Sequence, residues 1–325
     1  MNRKETLLAV LESNRGRSCS GEELASALGV SRAAVWKIVE QLRANGYPIA
    51  AAPNCGYCLD ASADVVSAPG ARKYLNDSRA DLPLEVLLET ESTNDVARIR
   101  AQDGAPEGWT TIANSQTRGR GRWGRSFFSP KDSGVYFSLV LRPSSRSSDF
   151  GFATTTQAAV AACRAIERAS TRQAEIKWVN DVFVGGRKVC GILTEAAIGL
   201  EAGAIEYAIL GVGFIVYPPS GGFPSELSSI AGSIFDGPFP DGKNRLVGEF
   251  LNEFFALYDG SEAFAHAEEY RRRCFSIGRS ARIVSGAFER TARVLDVDSS
   301  CRLVVEYEDG TRAALSSGEI SVKPD

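Results

Sequence analysis

Apolar side chains in the first sixty residues recur at helical spacing and predict three short helices. A stripe of leucine and valine residues places the first helix over residues 3–13. Ser20 and Glu23 form a capping box that opens the second helix, and Ser31 can cap the third helix, which Gly46 ends. A glycine turn joins the second and third helices, and this spacing is typical of a helix-turn-helix.

Two short segments at residues 49–51 and 57–59 follow the third helix and predict a β-hairpin, the wing of a winged helix-turn-helix domain. The outward positions at the start of the third helix are Arg32, Ala33, Trp36 and Lys37. Small and basic residues at this place suit base edges and phosphates in the major groove of DNA. We therefore predict a DNA-binding domain over residues 1–62, with a three-helix protein-interaction domain as the alternative.

The rest of the chain alternates between strands and helices, which predicts an α+β protein with a central mixed α/β domain over residues 66–273. Strand-like apolar runs occupy residues 84–88, 109–114, 135–141, 176–179, 182–184, 188–195 and 207–216. Helical spacing covers residues 91–100, 153–169, 244–258 and 261–273. Four alternating runs between residues 281 and 315 predict a small β domain over residues 278–325.

Composition and charge narrow the classes of function. The chain of 325 residues has a net charge of -3, so any contact with a polyanion depends on local basic patches. No apolar run reaches the roughly 18 residues that span a bilayer, and the first twenty residues lack the apolar core of a signal peptide. Seven scattered cysteines are typical of reduced thiols. We expect a cytoplasmic protein without a membrane partner.

Histidine and cysteine offer little chemistry in this sequence. His266 is the single histidine, and its segment is typical of an exposed amphipathic helix. We therefore expect His266 at the surface and predict neither a Ser-His-Asp nor a Cys-His mechanism. Cys55 and Cys58 form a lone C-x-x-C in the predicted wing turn, without the further ligands that zinc requires. We predict no metal site built from a cluster of side chains.

The segment TRGRGRWGRSFFSP, residues 117–130, carries overlapping glycine motifs. Its glycines match a dinucleotide-binding fingerprint, and residues 119–126 match a P-loop with arginine in place of lysine. Both motifs need a helix directly after the last glycine, but Pro130 and Gly134 leave no room for one. What remains is a basic, glycine-interleaved loop that suits a small, densely anionic ligand. A solvated basic loop is the alternative.

A second feature is KWVND, residues 177–181. Lys177 lies between Ile176 and Trp178 in an apolar strand, where an ammonium group needs an anionic partner. We predict that Lys177 binds an anion of the ligand, with exposure at the edge of the sheet as the alternative.

The segments GRGRWGRSFFSP, KWVNDVFVGGRKVCGILTEA and the ESTN at residues 91–94 resemble the motifs of the biotin protein ligases. With the N-terminal pattern that ends in GYCL, the chain resembles the bifunctional members of that family, which also repress the biotin operon. The likeness covers nearly the whole chain. It implies a winged helix-turn-helix, a catalytic domain of the class II aminoacyl-tRNA synthetase and biotin ligase type, and a C-terminal SH3-like β-barrel.

The resemblance implies a reaction in two steps. The carboxylate of biotin attacks the α-phosphate of ATP, which gives biotinyl-5′-AMP and diphosphate, and a lysine of a biotin carboxyl carrier protein then accepts the biotinyl group. A carboxylate is already a nucleophile and needs no base, but cations and the Mg²⁺ that accompanies ATP must screen two anions. Biotinyl-5′-AMP is also the implied corepressor, since it favours a homodimer that binds a two-fold operator.

The same resemblance assigns roles to residues of this chain. Lys177 would hold the biotin carboxylate and the α-phosphate, and Arg122 would act with it as a catalytic cation. The implied biotin site comprises Ser92, Thr93, Asn94, Gln116, Arg120, Arg122, Lys177 and Gly191. Lys188 matches the same strand of the implied pocket as Gly191. The implied adenylate site comprises Arg120, Arg122, Arg125, Phe127, Asn180 and Asp181.

Three residues depart from the pattern of the family. Trp123 occupies a position of the loop that is usually polar or basic, and Val179 replaces the proline of KW-x-ND. Ile215 replaces an asparagine near the adenylate, which supports an alternative function: a ligand-sensing transcription factor with a weak or inactive ligase domain. A ligase specific for lipoate or octanoate is a third hypothesis, against which the arginine loop and the DNA-binding pattern speak.

Overall fold

The structure of the protein is a computed structural model that describes residues 2–52, 55–143, 149–199, 205–285, 288–317 and 319–322. The N-terminal helices α1, α2 and α3 span Arg3–Ser13, Gly21–Leu28 and Arg32–Ala44. The antiparallel wing strands β1 and β2 span Ile49–Ala52 and Gly56–Leu59. The predicted winged helix-turn-helix is therefore confirmed.

Capping groups define the helix starts in this domain as the sequence predicts. The hydroxyl of Ser20 accepts from the backbone N–H of Glu23, and the Glu23 carboxylate accepts from the N–H of Ser20. Ser31 caps α3 in the same way, by accepting from the N–H of Ala34. Leucine and valine side chains from the three helices form a core of their own, while Trp36 on the outer face of α3 remains 54% exposed.

A seven-stranded sheet forms the centre of the molecule, in the order β3-β4-β5-β9-β8-β7-β6. Its strands in chain order are β3 Leu84–Leu87, β4 Thr110–Ala113, β5 Gly134–Leu141, β6 Glu175–Lys177, β7 Asp181–Val184, β8 Arg187–Ile198 and β9 Ile205–Ile215. The helices of this region are α4 Ala68–Arg72, α5 Thr93–Gln102, α6 Phe150–Ala169, α7 Gly242–Tyr258 and α8 Ala267–Arg273. Only β3 and β4 pair in parallel, and the other neighbours are antiparallel.

The sheet lies between helices because alternate side chains of a strand point to opposite faces. On β5, Phe137 and Leu139 belong to the main core, which includes α6 and α7. Val140 on the same strand packs with Ala97 and Ala101 of α5 in a separate cluster. The N-terminus of α5 is thereby held against the face of the sheet opposite α6 and α7, where it can contribute to a site.

The C-terminal region forms a five-stranded antiparallel sheet in the order β13-β12-β11-β10-β14. Its strands are β10 Ser280–Ser285, β11 Phe288–Val297, β12 Leu303–Tyr307, β13 Arg312–Leu315 and β14 Glu319–Val322. The sequence did not predict β14. This sheet shares its core with the central domain, and the indole N–H of Trp178 donates to the carbonyl of Cys301 at 3.0 Å.

The expectation that His266 is exposed is wrong. Its side chain is 3% exposed, and its Nε2 lies 2.8 Å from the hydroxyl of Thr156 on α6. The predicted helix over residues 261–273 is shorter than expected, because only α8 is helical. His266 precedes Tyr270 by four residues, and both belong to the face that packs inward. The sequence pattern had placed His266 on the exposed face of the helix, whereas that face is the buried one.

The strand predicted over residues 176–179 is also shorter, because β6 ends at Lys177. The Trp178–Val179 peptide bond is cis, and the hydroxyl of Tyr270 donates to the carbonyl of Val179 at 2.9 Å.

In the part of the chain that the structure describes, no helix is both long and apolar enough to cross a membrane.

Candidate active site

A cavity of about 150 Å³ lies between the N-terminus of α5, the strands β8 and β9, and the loop after β4. The predicted residues that line it are Ser92, Thr93, Asn94, Gln116, Arg120, Arg122, Arg125, Phe127, Asn180, Asp181 and Gly191. The structure thus brings together every residue of the implied biotin and adenylate sites except Lys177, which does not belong to the lining.

One end of the cavity is a network of uncharged hydrogen-bonding groups. The side-chain oxygen of Gln116 accepts from the N–H of Thr93 at 2.8 Å and from its hydroxyl at 3.1 Å, and the Gln116 amide donates to Ser129 at 3.0 Å. The hydroxyl of Ser138 lies 2.7 Å from that of Thr93 and 2.6 Å from Oδ1 of Asn94. Because these groups orient one another, the corner can present fixed donors and acceptors to a ligand.

Phe127 covers two strands of the sheet where these strands carry glycine. A Cβ at Gly191 on β8 would lie 2.7 Å from the ring of Phe127, and a Cβ at Gly213 on β9 would lie 2.4 Å from it. Only glycine lets an aromatic ring approach the strands so closely. Phe127 therefore forms one wall of the cavity.

The basic loop is an ordered hairpin, which we call the flap and define as residues 119–127. The N–H of Phe127 donates to the carbonyl of Gly119 at 2.8 Å, and that of Gly121 donates to Arg125 at 2.7 Å. No α-helix follows Gly124, as the sequence predicts, because the next regular element is β5. The glycines permit a tight hairpin here and do not open a phosphate-binding helix.

The cavity lining carries an excess of positive charge. Its cationic residues are Arg120, Arg122, Arg125 and Lys188. Asp181 is the one carboxylate among the described lining residues, and Nζ of Lys188 lies 2.6 Å from it. Nη1 of Arg122 donates to Oδ1 of Asn180 at 3.4 Å. This charge suits an anionic ligand of more than one negative charge.

Not every arginine of the basic segment faces the cavity. The side chain of Arg118 is 72% exposed, pairs with Glu91 and lies outside the lining. Arg120 lines the cavity and also pairs with Asp95 of α5. Both arginines belong to one basic run of the sequence, and that run gave no signal of which of them faces the cavity.

Lys177 lies beside the cavity without lining it. It is half-buried, it ends β6, and its register partner on β7 is Asp181, which does line the cavity. Lys188 of β8 lies in the lining together with Gly191, as the resemblance implies.

Two residues of the site went unpredicted. Ser138 and Gly213 interrupt apolar strand runs, and such interruptions are signals of polar contact or close approach.

By contrast, Ile215 is 4% exposed on β9 and lies outside the lining. The side chain at this position therefore forms no part of the wall of this cavity. Among the described residues, no group of three or more His, Cys, Asp or Glu side chains could hold a metal ion.

Comparison with known families gives three matches along the chain. The profile of the biotin/lipoate A/B protein ligase family matches residues 87–214. A helix-turn-helix profile matches residues 3–58, and the profile of the biotin protein ligase C-terminal domain matches residues 277–323.

Curated relatives agree with these profiles. The bifunctional ligase/repressor BirA of Bacillus subtilis is 38% identical over 226 residues, which cover 66% of this chain and 65% of the relative's length. The protein of the same name from Escherichia coli is 25% identical over an aligned length of 335, and the alignment covers 98% of this chain and 96% of the relative. The biotin--[acetyl-CoA-carboxylase] ligase of Mycobacterium tuberculosis is 30% identical over an aligned length of 250, and the alignment covers 73% of this chain and 88% of the relative.

The fold is similar to that of a solved ligase. The structure of the biotin protein ligase from Aquifex aeolicus in complex with biotin and ATP matches with a TM-score of 0.61 and 20% identity. The match covers 75% of this chain and 99% of that chain. At this identity the similarity concerns the fold.

Proposed function

Since this chain belongs to the biotin/lipoate A/B protein ligase family, we propose that it is a biotin–protein ligase that also represses transcription. It joins biotin to a lysine of a biotin carboxyl carrier protein through biotinyl-5′-AMP, and it represses genes of biotin synthesis. The observation that carries the proposal is the cavity, in which an uncharged hydrogen-bonding corner adjoins four cationic residues.

The uncharged corner is the proposed site of the ureido ring of biotin. That ring carries two N–H donors and one carbonyl acceptor, which must find partners when they are buried. Thr93, Asn94 and Gln116 offer both donors and acceptors, and Ser92 lines the same end of the cavity. A neutral ring suits this corner, and the carboxylate of biotin then extends towards the cations.

The cationic side is the proposed site of ATP. A carboxylate oxygen of biotin attacks the α-phosphorus, and the bond from that phosphorus to the diphosphate oxygen breaks. The obstacle is repulsion between two anions, which Arg120, Arg122 and Arg125 of the flap reduce because they line the same cavity. Phe127 covers the adenylate. Since Lys188 neutralises Asp181, Mg²⁺ would be held mainly by phosphate oxygens, with Asp181 and Asn180 as the nearby protein groups.

Lys177 is the proposed cation that holds the biotin carboxylate and the α-phosphate through both steps. The Cα atoms of directly paired residues in antiparallel strands lie about 4.5–5.5 Å apart. Asp181, the register partner of Lys177, lines the cavity. A long lysine side chain can therefore reach a ligand there. In the second step the amine of the carrier lysine attacks the biotinyl carbonyl carbon and AMP leaves. His266 lies in the core beside α6 and has no part in this step.

Ligand binding requires the cavity to expand. Its volume of about 150 Å³ is smaller than the roughly 300–1,000 Å³ of typical ligand sites. The flap and Phe127 are the elements that close it, so we expect both to move outward when biotin and ATP enter. Gly121 and Gly124 give the flap the backbone freedom for that movement.

The DNA-binding role depends on α3. Arg32, Ala33, Trp36 and Lys37 are all exposed on its outer face, where they can enter a major groove. We expect a homodimer that biotinyl-5′-AMP strengthens and that binds an operator of two-fold symmetry. We also expect the protein in the cytoplasm, where the free state of all seven cysteines is usual.

The alternative, a ligand-sensing transcription factor with a weak or inactive ligase domain, is less favoured, because Arg120, Arg122 and Arg125 of the flap all line the cavity. Biotin-dependent exchange between ATP and diphosphate tests the choice with purified protein. We expect exchange at saturating biotin, and its absence would refute the ligase. Exchange with lipoate alone would favour the lipoate ligase.

A mobility shift on DNA upstream of biotin-synthesis genes tests repression separately. We expect biotin with ATP to strengthen the shift. Binding that is unchanged by these ligands would refute the corepressor role without affecting the ligase.

A further inference from the structure

Trp123 lies at the tip of the flap in an unusual conformation. The carbonyl of Arg122 accepts from the N–H of Arg125 at 3.2 Å, which closes a four-residue turn. Trp123 has φ 59° and ψ 34°, and Gly124 has φ 72°. Two central residues in the left-handed region define a type I′ turn, the kind that closes tight hairpins. Trp123 thus occupies a turn position that normally takes asparagine, aspartate or glycine.

This position is unfavourable for tryptophan in two respects. The left-handed backbone conformation is strained for a bulky side chain. The indole is also 67% exposed, so burial in the protein does not offset the strain. The stability of the turn therefore does not account for tryptophan at this position, and the exposed indole can contact a ligand in the cavity.

The surroundings of Trp123 place it on the nucleotide side of the cavity. The indole lines the cavity, and the guanidinium of Arg122 lies 5.7 Å from its ring centroid. Arg122 in turn donates to Asn180. Arg122 also lines an adjoining cavity of about 200 Å³, whose wall includes Phe152 and Val179. Trp123 therefore lies beside the cationic residues of the cavity, next to Arg122.

We infer that Trp123 closes over the purine base of the bound adenylate and sets how long the enzyme retains it. The inference rests on the proposed function, since biotinyl-5′-AMP is the ligand. Of the parts of that ligand, the base alone has an extended aromatic face, while biotin and the phosphate have none. An exposed indole next to a guanidinium is suited to stacking on such a face.

Asparagine offers a sharp test, because it tolerates the left-handed turn position better than tryptophan does but cannot stack. If Trp123 served only the turn, Trp123→Asn would leave the flap intact and ligand release unchanged. If Trp123 stacks, Trp123→Asn should release synthetic biotinyl-5′-AMP about tenfold faster, within the range known for base–aromatic stacking. Trp123→Phe, which keeps an aromatic ring, should stay near the wild-type rate.

The measurement is the release of labelled ligand after a chase, for biotinyl-5′-AMP and for biotin separately. We expect the variant Trp123→Asn to change the release of biotinyl-5′-AMP and to leave that of biotin unchanged, since biotin has no base. Equal acceleration of both ligands would overturn the inference, because it would indicate a general loosening of the flap. Unchanged release together with a raised KM for the carrier protein would also overturn it, in favour of a contact with the carrier.

Failure of the proposed function gives a different result. Synthetic biotinyl-5′-AMP binds without any catalytic step, so a chain that performs no exchange can still show faster release from Trp123→Asn and support the inference. A wild-type protein that performs exchange but releases the adenylate at the rate of Trp123→Asn would leave the ligase intact and overturn the inference alone.

Discussion

The ring of Phe127 packs against the backbone of Gly213, so that a Cβ at position 213 would lie 2.4 Å from the ring atom Cε1. Phe127 ends the flap, and Gly213 lies on β9, the central strand of the sheet. This contact joins the flap, which we expect to move on ligand binding, to the central sheet. The position of the flap therefore depends on the absence of a side chain at one strand residue.

Gly213→Ala should displace Phe127 and with it the end of the flap. We expect the KM for biotin in the exchange reaction to rise about tenfold, equivalent to roughly 1.4 kcal/mol, with little loss of stability because the ring can turn aside. Gly221→Ala is the matched control, since a Cβ there would meet nothing within 4 Å. An unchanged KM for Gly213→Ala would show that the contact does not position the flap.

Lys177→Ala should abolish biotin-dependent exchange. Removing a group that stabilises developing charge at a reacting centre typically reduces rates by about 100- to 1,000-fold. Arg118→Ala removes a cation of the same region that is exposed and lies outside the cavity, and we expect it to keep nearly the wild-type rate. Near-normal exchange by Lys177→Ala would refute its role.

Arg122→Gly should weaken retention of the adenylate, because it removes the guanidinium that lies beside Asn180. Released biotinyl-5′-AMP is reactive, so we expect biotin to label lysines of an unrelated protein added to the reaction. Arg118→Gly is the control for loss of charge and gain of backbone freedom. Equal labelling by both variants would argue against a specific contact of Arg122.

Glu12→Gln should destabilise the junction between the DNA-binding and central domains. The Glu12 side chain is 1% exposed on α1, and its carboxylate pairs with Arg15 at 2.6 Å and with Lys73 at 2.8 Å. Both cations also pair with Asp241, at 2.7 Å each. Removing one of two buried carboxylates leaves cationic charge uncompensated, which costs about 3 kcal/mol.

Urea unfolding measures this change in the free energy of unfolding. Glu22→Gln removes the same charge from an exposed position of α2 and should cost less than about 1 kcal/mol. Equal effects of the two variants would contradict a structural role of the Glu12 cluster.

His266 should make stability depend on pH in the acidic range. Burial lowers its pKa to about 4 from 6.5. The unfolded chain therefore takes up a proton below pH 6.5 while the folded protein does not, so the stabilising effect is complete above that pH and falls as the pH drops towards 4. Between pH 7 and pH 5 the loss is about 2 kcal/mol.

Comparison with His266→Gln isolates this effect. Burial raises the pKa of Asp64 to about 6, which acts in the opposite direction, since the folded protein then binds the proton more readily. Asp64 contributes to both proteins, and the difference between their unfolding free energies at pH 7 and pH 5 reports His266 alone. An equal pH dependence of the two would contradict the burial of a neutral imidazole.

Much of the site could be found from the sequence because its motifs lie on short, locally defined elements. The capping residues Ser20 and Ser31 determined where helices start, and Pro130 and Gly134 excluded a phosphate-binding helix. These features depend on hydrogen bonds and backbone preferences within a few residues, which the sequence specifies directly. The roles of the individual side chains stay predictions until the variants are measured.

Contacts between distant segments were decided by the tertiary structure alone. The face on which His266 lies depends on α6, more than a hundred residues earlier in the chain, and Glu12 meets Asp241 through two shared cations. Likewise, Lys188 lies in the cavity lining, whereas Ile215 and Lys177 lie outside it. Strand register and the packing of the flap determine which side chains face the ligand. Periodicity identifies an apolar face, but only packing against a particular partner decides what that face covers.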